Sequence, residues 1–180
     1  MTVYVATPAV DRFWQLSLDE NVLSGNLAAL RFNGSPIGTD WPILEAEWIE
    51  DDAEQKPDIA HMLSGSLVLS PKAKDALKGP LSNLAEFLPI NVAGELWSVL
   101  NVLNRLDVLD REKSKLAIRS NGSLRVTEPV LDESKVTDGR LFKCEGLSVP
   151  ILTTDGPGTL KSLVESNGLT GLAFVPFERA

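Results

Sequence analysis

Two aspartates, Asp107 and Asp110, follow an apolar run in the stretch NVLNRLDVLDREKS, which covers residues 101–114. Two carboxyl groups at this spacing could lie close together and act as a general acid and a general base. Aspartate is also favoured at turns, because its side chain accepts hydrogen bonds from backbone N–H groups. The charged residues after Asp110 favour this second interpretation, in which NVLNRLDVLD is a strand with its exit turn and both aspartates hold the backbone.

Nucleophilic catalysis is the other chemistry open to this chain, and it would have to use His61, the only histidine. A nucleophile needs a neighbouring base, so Cys144, the only cysteine, could act only with His61. His61 lies among apolar residues in DIAHMLSGS, and Cys144 lies in the predicted strand RLFKCE. Both settings are typical of core residues, and the Cys144–His61 dyad stays as an alternative.

No cofactor or metal site is predicted. A structural zinc site needs several converging ligands, and one histidine with one cysteine cannot supply them. The sequence has no Walker phosphate loop and no calcium-binding loop of the EF-hand type. Gly156-Pro157-Gly158 lacks the third glycine of a dinucleotide fingerprint, and its proline removes a donor that a phosphate would need. We therefore predict a binding protein and not an enzyme.

A cluster of carboxylates between residues 45 and 54 has tryptophans beside it. Such a cluster is usually a solvated face, but tryptophan is enriched at binding hot spots. Together they could form a surface for a basic protein, and packing of the tryptophans in the core is the alternative. The predicted partner-binding residues are Trp41, Glu45, Glu47, Trp48, Glu50, Asp51, Asp52 and Glu54.

The charge of the whole chain agrees with a basic protein partner. The 180 residues include 17 lysines and arginines against 25 aspartates and glutamates, a net charge of −8. An acidic surface repels phosphate backbones, so we do not expect nucleic acid as a partner. The same field attracts a basic protein and speeds its encounter. The oligomeric state is left open, with a homodimer among the alternatives.

Length and composition predict one domain, residues 1–180. The N-terminus lacks the basic leader and long apolar core of a signal peptide. No apolar run approaches the roughly 20 residues that span a bilayer. One cysteine cannot form an internal disulfide, which suits a reducing compartment. From these observations we expect a cytoplasmic protein that does not enter the membrane.

The elements that must position these residues are mostly strands. Two strands are predicted around a turn at Asn91–Gly94, and a second hairpin, KLAIRSNGSLRV, has Asn121-Gly122 in its turn. The last strand, GLAFVPF, is nearly all apolar, which predicts a central position in its sheet. Further strands are predicted at TVYVA (2–6), ILEAEWIE (43–50), LVL (67–69), RLFKCE and SVPILTT.

Two helices are predicted between the strands. Ser70 and Pro71 are the residue types favoured at the N-cap and first position of a helix, and Gly79-Pro80 is expected to end it. The second helix is GTLKSLVESN, with Gly168 after it. Because the βαβ rhythm of a doubly wound fold is absent, we predict an α+β fold. It would have a mainly antiparallel sheet with a few short helices packed on it.

Several phrases occur in a characteristic order: PDIAHMLSGSLVLSPKAKDAL, EFLPINVAGELWSVLNVLNRLDVLDREKS, GRLFKCEG, SVPILTTD and GLTGLAFVPF. This series, over about residues 40–177, resembles immunity protein family eleven of bacterial polymorphic-toxin and type VI secretion systems, formerly a domain of unknown function. Residues 1–39 would be an N-terminal strand and loop extension. The positions that match the family pattern are Asp58, Leu88, Pro89, Asn101, Asp107, Asp110, Ser114, Phe142, Gly168, Gly171 and Phe174.

The resemblance implies a protein that binds a cognate toxin and neutralises it, and that needs no catalytic site. It implies that the matching positions matter to the fold, without assigning them to toxin binding. The segment ELWSVLNV has fewer tyrosines than the family often shows there. Two alternatives stay open. One is a small hydrolase or transferase that uses Asp107 with Asp110, or Cys144 with His61. The other is a ligand sensor with a pocket lined by Trp41, Trp48 and Trp97.

Overall fold

The computed structural model describes residues 1–18, 32–49, 55–62, 65–122, 124–147 and 150–179. The fold is α+β with mostly antiparallel strands, as predicted. Within these ranges the helices are α1 (Pro71–Leu81) and α2 (Leu160–Ser166), with single 3-10 turns at Gly38–Asp40, Glu133–Lys135 and Phe177–Arg179. The strands are β1 (Val3–Pro8), β2 (Gln15–Leu18), β3 (Leu44–Ile49), β4 (Ile59–Ala60), β5 (Leu67–Leu69), β6 (Ala85–Val92), β7 (Glu95–Val102), β8 (Arg105–Leu106), β9 (Lys115–Ile118), β10 (Leu124–Glu128), β11 (Lys143–Cys144), β12 (Leu152–Thr154) and β13 (Leu172–Pro176).

The main sheet has six strands in the order β2-β3-β6-β7-β5-β4, and only the β3–β6 pair is parallel. Successive side chains of a strand point to opposite faces, so β4, β5, β6 and β7 each contribute to two clusters, whereas β2 and β3 contribute buried residues to one. On the helix-side face, residues such as Leu67 and Leu100 pack with α1, α2 and Ala6 of β1. On the tryptophan-side face, Val68 and Val99 pack with Trp41 and Trp97.

The hairpin of β6 and β7 forms the centre of this sheet, with eight cross-strand pairs from Ala85↔Val102 to Val92↔Glu95. Its two-residue turn is Ala93-Gly94, and both residues have positive φ, 49° and 84°. Such angles match the right-handed twist of the flanking strands. The predicted turn is confirmed. The apolar run of β7, which also fits a helical period, belongs to a strand because the sheet is covered on both faces there.

Helix α1 begins as predicted but ends later. The Ser70 hydroxyl accepts a hydrogen bond from the Ala73 N–H at 3.1 Å, and Pro71 occupies the first turn. The helix continues through Gly79-Pro80 to Leu81, so the predicted end was wrong. Leu81 is fully buried. Burial of Leu81 contributes about 2 kcal/mol, which offsets most of the roughly 3 kcal/mol that a proline costs inside a helix.

A second sheet has the order β12-β1-β13, with both pairs antiparallel. The prediction that the last strand is central was wrong, because β13 lies at an edge and β1 is central. The apolar run of β13 has another cause. Phe174 packs against the helix-side cluster, whereas Val175, on the opposite face, lines an open cleft. Apolar residues on both faces of a strand therefore do not require a strand neighbour on both sides.

Asp58 and Thr170 join the two sheets, and we call this contact the Asp58–Thr170 junction. The Asp58 carboxylate accepts hydrogen bonds from the Thr170 N–H at 2.9 Å and hydroxyl at 3.1 Å, and the Asp58 N–H donates to that hydroxyl at 3.0 Å. Next to it, the Ile59 N–H donates to the Thr170 carbonyl at 2.9 Å. The start of β13 is thereby attached to β4.

Gly171 permits this close approach. Its φ is +102°, and a Cβ there would lie 2.0 Å from the carbonyl oxygen of Ile59. We expect Gly171→Ala to lower the free energy of unfolding by about 2–6 kcal/mol, since backbone strain and overpacking each cost about 1–3 kcal/mol. Gly156 is a matched control, because its φ is +120° but no atom lies within 4 Å of the added Cβ. Urea denaturation should show a clearly smaller loss for Gly156→Ala, and equal losses would contradict the steric explanation.

Candidate functional site

The predicted carboxylates Glu45 and Glu47 are exposed on β3. Leu44 and Ala46 alternate with them and are buried on the tryptophan-side face. Glu45, Glu47 and Ile49 therefore share the helix-side face of the sheet. Helix α1 packs on that face over β5, β6 and β7, and these three residues of β3 stay exposed.

The strand register extends this exposed area across three strands. Glu45 lies opposite Asn91 on β6, and Asn91 lies opposite Leu96 on β7. Leu96 is 62% exposed and Ile49 is 48% exposed. We call the surface formed by Glu45, Glu47, Ile49, Asn91 and Leu96 the open sheet face. It combines two carboxylates with two aliphatic side chains, and none of its five residues is basic.

The tryptophans lie on the other side of β3. Trp41 is buried, its indole N–H donates to the Pro89 carbonyl at 2.7 Å, and its ring packs edge-on against Phe32. Trp48 is half-buried and contacts Trp97, with ring centroids 5.3 Å apart. The structure thus separates the predicted residues into a carboxylate face and a tryptophan face, because neighbouring positions of a strand point in opposite directions. Four predicted residues lie outside the described ranges: Glu50, Asp51, Asp52 and Glu54.

Sequence reasoning missed Ile49 and Leu96, although a signal existed for the first of them. Strict alternation in β3 places Ile49 on the same face as Glu45 and Glu47. Leu96 could not be placed in this way, since its position beside Asn91 depends on the register of β6 and β7. An apolar residue in an apolar run is ordinarily assigned to the core.

The aspartates that opened the sequence analysis have separate partners. One oxygen of Asp110 accepts hydrogen bonds from the N–H groups of Glu112 and Lys113, and the other accepts one from the Lys113 ammonium at 2.8 Å. These hydrogen bonds, that of the Lys113 side chain above all, lower the pKa of Asp110. Asp110 thus holds a turn, as predicted. Asp107 instead forms an exposed ion pair with Arg111 at 2.9 Å.

Cys144 and His61 have the surroundings of core residues. Cys144 is 2% exposed and packs with Val108 and Phe142, and burial raises the pKa of its thiol to about 11. It is therefore a neutral thiol at pH 7, whereas a nucleophile requires the thiolate. His61 follows β4 and shares a small pocket with Trp14, and burial lowers its pKa. The two residues contact different parts of the core.

Lys143, beside Cys144, is a buried cation that the sequence did not reveal. It is 2% exposed, and its ammonium donates hydrogen bonds to the carbonyls of Phe32 and Gly65. Burial lowers the pKa of Lys143 to about 8. Its two carbonyl partners lie 111 and 78 residues before it in the chain. Lys143 therefore ties two distant segments to β11, which is a structural role.

A cleft of about 1060 Å³ lies between the three-stranded sheet and residues 127–133, and none of the predicted site residues within the described ranges lines it. Trp41, Trp48 and Trp97 do not line it; they pack in one cluster. In the described ranges, no three His, Cys, Asp or Glu side chains are grouped so as to hold a metal ion. Nor is any helix in those ranges both long and apolar enough to cross a membrane.

The chain matches no family model, and no curated protein matches it.

The buried Lys143 and Cys144 predict opposite effects of pH on stability. For Lys143 the folded pKa of about 8 is below the usual 10.5, so between these values the unfolded chain binds more protons and stability rises with pH. For Cys144 the folded pKa of about 11 is above the usual 9.0, so stability falls between pH 9 and 11. Each slope has a limit of about 1.4 kcal/mol per pH unit.

Urea denaturation across this range should therefore show stability rising from pH 8 to 9 and levelling above 9, where the two slopes oppose each other. Cys144→Ala should extend the rise to about pH 10.5. Lys143→Met should remove the rise and leave the fall. If Lys143→Met kept the wild-type rise, Lys143 would not be the titrating group.

Proposed function

We propose that this chain is an immunity protein that binds a cognate bacterial toxin, an effector of a type VI secretion or polymorphic-toxin system. By blocking the toxin in the cytoplasm it would protect the producing cell. The order and spacing of the family-like phrases support the proposal. The observation that carries it is the open sheet face, where carboxylates and aliphatic side chains are exposed together on paired strands.

The open sheet face suits a basic protein partner. Glu45 and Glu47 carry negative charge, and the described residues that pair with them, Asn91 and Ser17, are uncharged. Ile49 and Leu96 offer apolar area, which contributes about 25 cal/mol for each Å² buried in a complex. Because the strands are held by cross-strand hydrogen bonds, little conformational entropy is lost when a partner binds. The net charge of −8 adds long-range attraction for a basic toxin.

The positions that match the family pattern have structural contacts, which agrees with the role that the resemblance implies for them. Asp58 and Gly171 build the junction between the sheets. The Ser114 hydroxyl accepts a hydrogen bond from the Val130 N–H at 2.9 Å. The Asn101 amide donates to the Ser35 carbonyl and to the Glu86 carboxylate, both at 2.9 Å. Such residues maintain a scaffold, and the toxin contact is assigned to other residues.

A binding mechanism also agrees with the state of the potentially reactive groups. Asp110 is engaged in its turn, Cys144 is a buried neutral thiol, and Lys143 is bound to two carbonyls. Inhibition by direct binding does not require any of these groups to transfer a proton or to form a covalent bond. It requires only a rigid and complementary surface.

Co-expression with the product of the neighbouring gene tests the function. We expect the neighbouring product alone to stop growth, and this chain to restore growth and to co-purify with that product. A neighbouring product that is harmless, or a toxin that neither co-purifies with the chain nor is neutralised by it, would contradict the proposal.

The site is tested by reversing charge on the open sheet face. Glu45→Lys with Glu47→Lys should slow association with the toxin at least about tenfold at low salt, and less at high salt, because ions screen exposed charges. The control is the double variant Glu112→Lys with Glu165→Lys, which has the same net charge. Both glutamates are exposed, and they lie away from the open sheet face, on a turn and on α2. Equal association rates for both double variants would remove the open sheet face from the site.

The enzyme alternative makes a different prediction. We expect Cys144→Ala and Asp107→Asn to protect cells as well as wild type, because neither group has a chemical role in binding. Far-ultraviolet circular dichroism would check that both variants are folded. Loss of protection by a folded variant that still binds the toxin would support catalysis.

A further inference from the structure

The cleft beside the three-stranded sheet is apolar inside and acidic at its rim. Val3, Val5 and Val175 form its floor together with Phe177, and Val130 and Leu131 contribute the facing wall. Glu128, Glu133 and Glu178 also line it, and no lysine or arginine does. At about 1060 Å³ the cleft is at the upper limit of small-ligand sites, so it can accept part of another polypeptide.

The hairpin of β9 and β10, which we call the arm, has the opposite character. All four residues of β9 are exposed, so neither of its faces is covered. Ile118 is 76% exposed and Leu116 is 47% exposed. Arg119 and Arg125 lie on the same hairpin, and no ion pair of either is found among the described residues. A two-stranded hairpin is only marginally stable by itself in water. Val126 at the base of the arm packs against the cluster of Val3 and Phe142, but Leu116 and Ile118 are left uncovered.

The arm cannot fill the cleft of its own chain. Thr127 and Glu128, at the base of the arm, form part of the cleft wall. Lys115 pairs with Glu128 at 2.8 Å and fixes this base. From there the paired strands lead away toward Gly122, roughly 15 Å at about 3.3 Å per residue. The exposure of Leu116 and Ile118 agrees with this direction.

We propose that two copies of this chain form a symmetric dimer in which the arm of each copy occupies the cleft of the other. Leu116 and Ile118 would contact the apolar floor at Val175 and Phe177. Arg125 pairs with Ala117 and so lies on the face of the hairpin opposite to Leu116 and Ile118. Arg125 and the adjacent Arg119 would face Glu133 and Glu178 of the cleft lining. The arm and the cleft, which complement each other in charge and in apolar character, are parts of the same chain. A dimer with two-fold symmetry would therefore contain two arm–cleft contacts. The proposal does not depend on the toxin, because it concerns the chain alone.

Sedimentation equilibrium of the purified chain at micromolar concentrations tests the dimer. Wild type should be dimeric, and Ile118→Asp should be monomeric because a carboxylate would enter an apolar, acidic cleft. Ile43→Asp is the matched control, since Ile43 is similarly exposed at 69% but precedes β3 on another surface, and it should stay dimeric. A monomeric wild type, or a dimer that Ile118→Asp leaves intact, would overturn the proposal.

Charge exchange separates a lost contact from a misfolded chain. Arg119→Glu with Arg125→Glu should weaken the dimer at least about tenfold, as should Glu133→Lys with Glu178→Lys, because like charges would then face each other. Mixing these two double variants should give heterodimers, in which one arm–cleft contact has reversed charges and remains attractive. Failure of the mixture to associate more tightly than either variant alone would contradict the arm-in-cleft contact. Protection from the toxin, measured separately, would still report on the proposed function.

Discussion

The carboxylate of Asp58, together with the backbone hydrogen bond from Ile59 to Thr170, links β4 of the main sheet to the start of β13 in the three-stranded sheet. It accepts two hydrogen bonds from Thr170, which lies 112 residues later in the chain, and Gly171 leaves the space for the two backbones to approach. Hydrogen bonds to a charged acceptor are about twice as strong as neutral ones, and loss of the carboxylate would leave the Thr170 N–H without its partner. The junction holds β13 near β4, so that the helices are enclosed between the sheets. It thereby positions the floor of the cleft.

The two-residue period of β3 gives one strand two functions. Its even-numbered residues, Leu44 and Ala46 among them, build the core with the tryptophans, while Glu45 and Glu47 form a surface over the same backbone. A surface carried by a central, well-packed element is rigid, which lowers the entropic cost of binding. The open sheet face is thus supported by the packing of Trp48 against Trp97 directly beneath it.

The polar groups inside this protein serve its architecture. Lys143 holds two loop carbonyls, Asn101 connects β7 to Ser35, and Asp110 closes a turn. Each forms hydrogen bonds that hold part of the backbone in place, and burial favours the neutral forms of Cys144 and Lys143. Groups with such fixed partners are poorly suited to exchange protons with a substrate. Among the described residues, the open sheet face, the arm and the cleft combine apolar side chains with charged ones.

The sequence by itself determined what depends on neighbouring residues. The α+β class, the Ala93-Gly94 hairpin, the Ser70 cap and the turn at Asp110 were predictable, because each rests on backbone angles or hydrogen bonds within a few residues. Only the tertiary structure decided that β13 is an edge strand, that α1 continues past Pro80, that Glu45 meets Leu96 across three strands, and that Lys143 is buried. These features come from contacts between segments far apart in the chain. Whether such contacts form depends on strand register and on burial, and neither can be derived from a local pattern of residues.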